Sequence, residues 1–497
     1  MVKRLLLLGM AMTLATACQS PILGVGGEMS GRPPDRILDR GTLSLRVLWP
    51  DTASRHVLRV PVAAKTAVFT VTDVSGEIVA TRTIAREEGA SVSVSIDVLP
   101  GDDYSVAVEL VDANGELLAH GKSAPFQIQR QRVSTVELTL DPLISRYAGT
   151  GAFGYDGNGE KAAEALLSGP IDVAADRGGN LYIAEFAGHV VRKVDTQGTI
   201  STVIGTNKAT SGLLTRGDNG PATEATLNRP SGLAIAANGD LFVADSFNRA
   251  LRLLPATSGE RYGMTVTAGR LHTVHVDTSH SDRVPHSVAV DAAGNVFFAE
   301  LARIRMLSPL GEVSTVAGTG ASGTENEGNG PALSIPLNLP DALLVDPSGN
   351  LLFTERNSPR VRMLCRTAGT YFGIPMASGS VYAIAGKGVI PTSSVSFRND
   401  KDGLDATFDT PRGLALDTRG NLYVSENINP RIFRLTPERR ISVIAGSGTA
   451  SALGAKDVGD GGASLLATFR NPVGLAVVGE MLYVADSNNH RIRRIPL

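Results

Sequence analysis

The chain has 497 residues, in which 47 Lys and Arg nearly balance 49 Asp and Glu, for a formal net charge of −2. This length allows two or more domains. The near-neutral charge lacks the positive field with which proteins attract DNA or RNA, so we expect no nucleic-acid partner. Glycine is abundant at 54 residues and aromatic residues make up only 5%, which favours short strands joined by tight turns and predicts an all-β fold.

Residues 1–17 have the pattern of an export signal. Lys3 and Arg4 precede an apolar run too short for a permanent membrane anchor, and small residues lead into Cys18. This ending resembles a bacterial lipoprotein signal peptide, whose cleavage leaves Cys18 as the acylated first residue; a plain secretory signal is the alternative. The resemblance implies a cell-envelope protein that faces away from the cytoplasm and contacts the membrane only through its lipid. Because Gln19 rather than Asp follows the lipid site, we expect the outer membrane if the organism has one.

Two further segments precede the repeats. Residues 18–40 are rich in Gly, Pro and Ser without apolar periodicity, which predicts a flexible tether. In residues 41–142 apolar and polar residues alternate in short runs separated by turns, which predicts a small β-sandwich. The run around Tyr104 resembles immunoglobulin-like or transthyretin-like modules of secreted bacterial proteins, and we expect this module to act as a spacer.

Residues 143–497 contain one pattern written six times. In each copy a short apolar strand ends in a carboxylate, at spacings of 60, 55, 55, 71 and 60 residues, and the acids are Glu185, Asp245, Glu300, Glu355, Glu426 and Asp486. Such a repeat indicates a radial or stacked array of small units. The last copy stops after its third strand, whereas residues 144–148 match the fourth strand of other copies. A borrowed strand would close the array into a ring without open edges, so we predict a six-bladed β-propeller.

The last copy also identifies a family. Residues 472–477 and the segment Leu-Tyr-Val-Ala-Asp-Ser-Asn-Asn-His-Arg at 482–491 resemble an NHL repeat, and the resemblance extends over residues 144–497. It implies a propeller with its ligand sites on a face or at the axis. Six-bladed relatives of NHL proteins include metal-dependent lactonases and lyases, whose ions sit on the axis.

The features that all copies share predict structure rather than chemistry. The six acids could form a metal-binding ring, but a residue present in every copy is more simply a part of the copy. In most copies an Arg follows about seven positions later, and we expect it to pair with the acid across the hairpin. The fifth copy departs from this pattern, because Phe433 stands where the other copies have Arg.

Positions at which the copies differ are better candidates for function. The innermost strands should begin around the mouth of the central channel, and their first residues vary from copy to copy. Framework needs would be the same in every copy, so we predict that these residues are free to bind a ligand, against the alternative of solvated variation at strand ends. The candidates are Asp172, Ser231, His286, Asp341 and Arg412.

Metal sites have weaker support in the sequence. His272, His275 and His280 lie close together with His-x-x-His spacing, but we expect them in a loop that could not fix the geometry zinc requires. No metal ligand, catalytic residue or cofactor is therefore assigned. Binding of a divalent metal on the propeller axis is kept as an alternative, with Asp172, His286 and Asp341 as the residues near it.

Two functions follow from these patterns. The first is a non-catalytic binding or scaffold protein of the cell envelope, which would hold a protein, peptide or glycan ligand through its propeller. It is favoured because no nucleophile–base pair or metalloprotease motif stands out in the chain. The alternative is a metal-dependent enzyme, similar to propeller lactonases or lyases, with its site on the axis.

Overall fold

A computed structural model describes residues 41–48, 65–73, 75–85, 91–98, 101–112, 117–123, 126–128, 133–135, 141–208, 217–276, 284–322, 328–389, 401–452, 455 and 458–497. The predicted signal peptide (1–17), the lipidation site Cys18 and the tether (18–40) lie outside these residues. In the described residues, regular structure consists of β-strands and short 3-10 helices, and none of the helices is long and apolar enough to cross a membrane. The all-β prediction is confirmed.

The described residues of 41–142 form two sheets. The smaller contains Gly41–Leu48, Ser91–Val98 and Val133–Thr135. The larger contains Thr66–Thr72, Ile78–Ala85, Gly101–Val111, Leu117–Lys122, Phe126–Ile128 and Asp141–Pro142. Ala67, Phe69 and Val71 are buried and alternate with partly exposed neighbours, as in a strand with one face on a core. The predicted domain boundaries and the immunoglobulin-like or transthyretin-like assignment stay predictions.

The remaining described residues contain six antiparallel sheets of four main strands, here numbered 1 to 6. Each is named from its inner to its outer strand. Sheet 1 has Pro170–Ala175, Leu181–Glu185, Val190–Val194 and Ile200–Ile204. Sheet 2 has Pro230–Ile235, Leu241–Asp245, Ala250–Leu254 and His272–Val276. Sheet 3 has Val288–Val290, Val296–Glu300, Arg303–Leu307 and Val313–Ala317.

The other three sheets follow the same plan. Sheet 4 has Pro340–Val345, Leu351–Glu355, Arg360–Cys365 and Ser380–Ala385, with the short strand Gly330–Pro331 at its outer edge. Sheet 5 has Pro411–Leu416, Leu422–Glu426, Arg431–Leu435 and Arg440–Ala445, with Lys401–Asp402 at its edge. Sheet 6 has Pro472–Val478, Met481–Asp486, Arg491–Pro496 and Ser145–Ala148. The 3-10 helices are Ala162–Glu164, Ala222–Glu224, Ser246–Asn248, Gly403–Asp405, Ser464–Leu466 and Ser487–Asn489.

The sheets form a closed ring around an axis. Their inner strands contact one another in cyclic order, from sheet 1 through sheet 6 and back to sheet 1. The outer strand of sheet 6 comes from the beginning of the repeat region, since Ser145–Ala148 pairs antiparallel with Arg491–Pro496. The predicted closure by residues 144–148 is confirmed. It protects the last sheet from presenting an unpaired edge.

The core lies between neighbouring sheets. Six clusters of buried side chains occur in the described residues, and each joins one sheet to the next. Between sheets 1 and 2, for example, Val191 and Ile204 pack with Leu233 and Val243, all of them fully or almost fully buried. Each sheet is therefore stabilised from both faces, which is how a repeat too small to bury its own apolar surface becomes stable in an array.

The repeated acid and Arg pair across the hairpin, as predicted. The Arg–carboxylate distances are 3.2–3.5 Å in five sheets, and the Arg residues are Arg192, Arg252, Arg305, Arg362 and Arg493. The second partner of the acid is a backbone N–H that precedes the inner strand of the same sheet, as in Asn228 N to Asp245 Oδ1 at 2.7 Å. In the turn that follows, the side chain of Asn248 also donates to Asp245.

The glycine-rich loops lie along the outer edges of the sheets. In sheet 2 the loop residue Pro221 pairs with Arg270, just before the outer strand, and Asp218 accepts hydrogen bonds from Arg252 and from Thr273 of that strand. The buried Arg thus ties the loop to the acid of the second strand. The loop therefore covers the outer edge of sheet 2, as the short strands Gly330–Pro331 and Lys401–Asp402 cover those of sheets 4 and 5.

Candidate functional site

The starts of the inner strands surround a cavity of about 320 Å³ at one end of the axis. All five residues predicted from their variation between repeats line it: Asp172, Ser231, His286, Asp341 and Arg412. They come from the inner strands of sheets 1, 2, 4 and 5 and from the segment before the inner strand of sheet 3. The sequence alignment of the repeats therefore located one concave surface, as cyclic geometry requires. That these residues bind a ligand stays a prediction.

A charged cluster forms one part of the cavity wall. Arg356 contacts both carboxylate oxygens of Asp341, with Nη2 to Oδ1 at 2.8 Å and Nε to Oδ2 at 3.3 Å. Arg412 approaches the same carboxylate, with Nε 2.6 Å from Oδ2. Burial by itself would raise the pKa of Asp341, but the two guanidinium groups outweigh burial and hold this pKa below its ordinary value. Asp341 is therefore a fixed anion between two cations.

His286 lies in the same cavity and is neutral near pH 7. Burial lowers the pKa of its imidazole, Asp341 opposes this effect, and the charges of Arg356 and Arg412 lower the pKa further. A neutral imidazole offers one donor and one acceptor nitrogen. His286 can therefore hydrogen-bond a polar ligand without adding a third positive charge.

Asp172 and Ser231 have structural bonds in addition to their place in the wall. Asp172 accepts the N–H of Leu233 from the neighbouring sheet at 2.8 Å and the N–H of Val173 at 2.9 Å. Ser231 donates to the carbonyl of His286, also across a sheet boundary, at 2.7 Å. The premise that variable residues here have no framework role is wrong for these two. Neighbouring inner strands need polar bridges, and different residue types supply them in different sheets.

Three further boundaries have bonds of this kind. Ser287 accepts from the N–H of Leu343 at 3.1 Å, Thr354 donates to the carbonyl of Arg412 at 3.0 Å, and Ser425 donates to the carbonyl of Val473 at 2.6 Å. These bonds join sheets 3 and 4, 4 and 5, and 5 and 6. Residues at these positions therefore differ between repeats for two reasons: some bond neighbouring sheets, and some line the cavity.

Aromatic residues form another part of the wall. Phe186 and Phe247 line the cavity, and their rings meet edge to face with centroids 6.1 Å apart. The guanidinium of Arg229 stacks on both, 5.4 Å from the Phe186 centroid and 4.4 Å from that of Phe247. Phe247 is 49% exposed. An exposed aromatic ring held in place beside a polar cavity is a common binding surface for planar or apolar groups.

Sequence reasoning missed Arg356, Phe186, Phe247 and Asn471, which also line the cavity. The first two follow directly after the repeated acid of their sheets, where other sheets have Ser, Leu or Asn. Variation at that position between the repeats is the signal that could have identified them. Asn471 precedes the inner strand of sheet 6, and its buried Oδ1 has no hydrogen-bond partner among the described residues.

The cavity does not suit a divalent cation. The oxygens of Asp341 contact two guanidinium groups, which would repel a metal ion, and both oxygens of Asp172 accept backbone N–H groups. Within the described ranges, no cluster of three or more His, Cys, Asp or Glu has metal-binding geometry. His272 and His275 lie on the outer strand of sheet 2, so the expectation that they lie in a loop is wrong; His280 is outside the described residues.

The overall architecture matches solved bacterial structures. A protein of unknown function from Bacteroides thetaiotaomicron has 15% sequence identity and a TM-score of 0.51, over 87% of this chain and 90% of that one. An auxiliary nutrient binding protein from Bacteroides ovatus has 16% identity and a TM-score of 0.50, over 92% of this chain and 97% of that one. At these identities the likeness shows a common fold only.

Sequence comparison gives the family. Teneurin-3 of Danio rerio is 30% identical over 234 residues, which are 42% of this chain but 8% of that protein, so the chain spans only a small part of the length of the curated relatives it matches. The family model of the Teneurin NHL domain matches residues 152–216 and 277–496, more than half of the chain. These ranges include the repeated acids of sheets 1 and 3 to 6 and four of the five predicted cavity residues. The chain therefore belongs to the Teneurin NHL domain family.

Proposed function

We propose that this protein is a non-catalytic binding protein of the bacterial cell envelope, and that its propeller holds a small ligand in the axial cavity. The observation that carries the proposal is the convergence of Arg356, Arg412, His286 and Asp341 with the Phe186–Phe247 pair around one cavity. Concave sites with a few fixed polar groups and an apolar wall are typical of small-molecule binding. A peptide or glycan end would present groups of the same kind.

The bonds of the cavity serines support binding over acyl transfer. In the described residues, the hydroxyls of Ser231 and Ser246 hydrogen-bond each other and the backbone carbonyls of His286 and Pro285. A nucleophilic serine would instead donate to a base that removes its proton. These hydroxyls stabilise the wall of the cavity, and the charged groups are left to contact the ligand.

The proposed location rests on the N-terminal sequence. Acylation of Cys18 would anchor the chain to a membrane through lipid alone, and the partner would be a peptide, a protein or a glycan in the envelope. The nutrient binding protein of similar fold gives a precedent for a binding propeller. Metabolic labelling with radioactive palmitate tests the anchor: we expect label in the membrane fraction, and expect Cys18→Ala to abolish it. Label that persists in Cys18→Ala would overturn lipidation at this residue.

Binding itself is testable without a known ligand. We expect a pool of small envelope metabolites and short peptides to raise the melting temperature of the wild-type protein, and expect Arg412→Gln to remove most of that shift. Arg177→Gln is the matched control, because Arg177 is exposed in the turn at the other end of the inner strand of sheet 1. Equal shifts in all three proteins would place binding outside the cavity and contradict the proposal.

The enzyme alternative has one observation in its favour. Burial raises the pKa of Asp172 to about 7, against the lowering effect of its two backbone hydrogen bonds, and a carboxyl group that exchanges its proton near neutral pH is suited to general acid–base catalysis. Both oxygens are already used by backbone N–H groups, so we place binding first. Lactone hydrolysis that requires an added divalent metal and is lost in Asp341→Asn would reverse this order.

A further inference from the structure

The axial cavity has more positive than negative charge. Two guanidinium groups, of Arg356 and Arg412, face the single fixed carboxylate of Asp341. The other titratable groups of the wall add little charge, because burial raises the pKa of Asp172 to about 7 and lowers the pKa of the His286 imidazole. A partly buried surplus of positive charge is costly unless an anion neutralises it.

The guanidinium groups that carry this surplus charge also have hydrogen-bond donors available to a ligand. Asp341 contacts Arg412 through Nε, and elsewhere in the described part of the chain no group bonds the terminal nitrogens of this guanidinium. The side chain of Arg412 is 16% exposed and that of Arg356 is 32% exposed. Both can therefore be reached from the cavity. A guanidinium fork with two open N–H groups matches the geometry of a carboxylate.

The same cavity has an apolar wall with a defined shape. Phe186 and Phe247 are held edge to face by the guanidinium of Arg229, so the rings are placed before any ligand arrives. A ligand that enters would contact the guanidinium groups and these rings together, because a cavity of about 320 Å³ is small enough for one compact molecule to touch both.

We propose that the cavity binds a carboxylate attached to an aromatic or apolar group, with the carboxylate on Arg412 and Arg356 and the apolar group against Phe247 and Phe186. This inference rests on the proposed binding function and specifies its ligand class. The carboxylate could belong to a free organic acid or to the C-terminus of a peptide, since both present the same chemistry to the cavity.

Calorimetric titration with N-acetyl-phenylalanine and its C-terminal amide tests this class directly. We expect the acid to bind and the amide to bind at least about tenfold more weakly, because the amide cannot form charge-assisted hydrogen bonds with the guanidinium groups. Acetate, which lacks the ring, should also bind at least tenfold more weakly. Arg412→Gln and Phe247→Ala should each weaken binding of the acid about tenfold or more, whereas Arg177→Gln should leave it unchanged. Unaltered melting temperatures of the variants without ligand would show that they fold.

The outcomes separate this inference from the proposed function. If the amide binds as well as the acid and Arg412→Gln weakens both, the cavity binds ligands but the carboxylate assignment is wrong. If neither compound binds, while the metabolite pool still stabilises the wild-type protein more than Arg412→Gln, only the ligand class fails. If nothing stabilises the wild-type protein, the binding function fails as well. A pentapeptide ending in phenylalanine assigns the source: tighter binding than the acid indicates a peptide C-terminus, and equal or weaker binding indicates free acids, either of which supports the carboxylate assignment.

Discussion

At the scale of single residues, Asp172 has two roles, because its side chain joins neighbouring sheets and also lines the cavity. Its carboxylate joins sheets 1 and 2 by accepting the N–H of Leu233, and it also lines the cavity. Burial is the largest influence on its pKa, which rises to about 7. The residue is thus held in place by the backbone of the next sheet, while its charge depends on pH in the neutral range.

This pKa predicts a specific pH dependence of stability. The folded state holds a proton on Asp172 up to about pH 7, whereas the unfolded chain loses it near pH 4, so the contribution to stability is complete at low pH and is lost as pH rises through 7. We expect the melting temperature of the wild-type protein to fall between pH 5 and 8, and expect Asp172→Asn to reduce this slope. An identical slope in the variant, measured by calorimetry, would contradict the assignment.

Gly413 marks a close approach of two inner strands. A Cβ atom at this position would overlap the carbonyl oxygen of Val473 in sheet 6. We expect Gly413→Ala to lower the free energy of unfolding by about 1–3 kcal/mol, as overpacking does in well-packed cores. Gly328→Ala is the control, because a Cβ there would meet no atom within 4 Å and should change stability little. Denaturant unfolding of both variants measures the difference.

At the scale of the sheet, the buried acid–Arg pair is the element that each repeat contributes. Arg362 is fully buried, lies 3.2 Å from Glu355 and also donates to the carbonyl of Gly328 in the edge loop. Sheet 5 shows the alternative to this pair: Phe433 replaces the Arg and packs edge to face on Phe408. Burial raises the pKa of Glu426 to about 7, as it also does for Glu185, which keeps its Arg. Sheet 5 therefore keeps its buried acid with an apolar residue in place of the Arg.

This comparison predicts how sheet 4 responds to losing its Arg. Arg362→Met leaves the buried carboxylate of Glu355 without its cation, and we expect a loss of about 3–5 kcal/mol in the free energy of unfolding at pH 7. Glu355→Gln combined with Arg362→Met should recover a substantial part of that loss. Denaturant unfolding of the single and double variants measures the coupling. A double variant no more stable than Arg362→Met would contradict a charge-based explanation.

Two hairpins between the third and outer strands of sheets 2 and 4 were not foreseen in the sequence. They are Gly259–Arg261 with Met264–Val266, and Gly369–Tyr371 with Ile374–Met376. Tyr262 in the first turn donates to the carbonyl of Gly294 in sheet 3 at 2.9 Å, and Phe372 in the second turn accepts from Arg439 of sheet 5 at 3.2 Å. Each hairpin straps its sheet to the next one. Only the second hairpin shows in the repeat spacing, as the 71 residues from Glu355 to Glu426, whereas the first lies within a spacing of 55. Neither contact is visible in the sequence, because the partner of each strap lies in another repeat.

At the scale of the whole molecule, the sequence predicted what repetition determines and missed what individual contacts determine. The all-β fold, the outer strand at Ser145–Ala148 and the five positions around the cavity follow from aligning repeats, since cyclic arrangement brings equivalent residues together. The inter-sheet bonds of Asp172 and Ser231, and the place of Arg356 beside Asp341, depend on side-chain contacts between repeats. No periodicity encodes those contacts.

Closure of the ring gives a prediction at this scale. A shortened chain that begins at Gly149 lacks the outer strand of sheet 6, and its third strand Arg491–Pro496 would become an open edge. We expect a lower melting temperature and aggregation, measured by calorimetry and light scattering. A chain that begins at residue 141 keeps that strand and should aggregate no more than the full-length chain. Equal behaviour of the two shortened chains would contradict the role of Ser145–Ala148 in closure.

If ligand binds at the axial cavity, where the repeats differ, a crystal structure of the protein grown with N-acetyl-phenylalanine should show it there. We expect ligand density in the cavity, with the carboxylate within hydrogen-bond distance of Arg412 and the ring against Phe247. Well-ordered ligand at another surface, with the cavity holding only water, would contradict it.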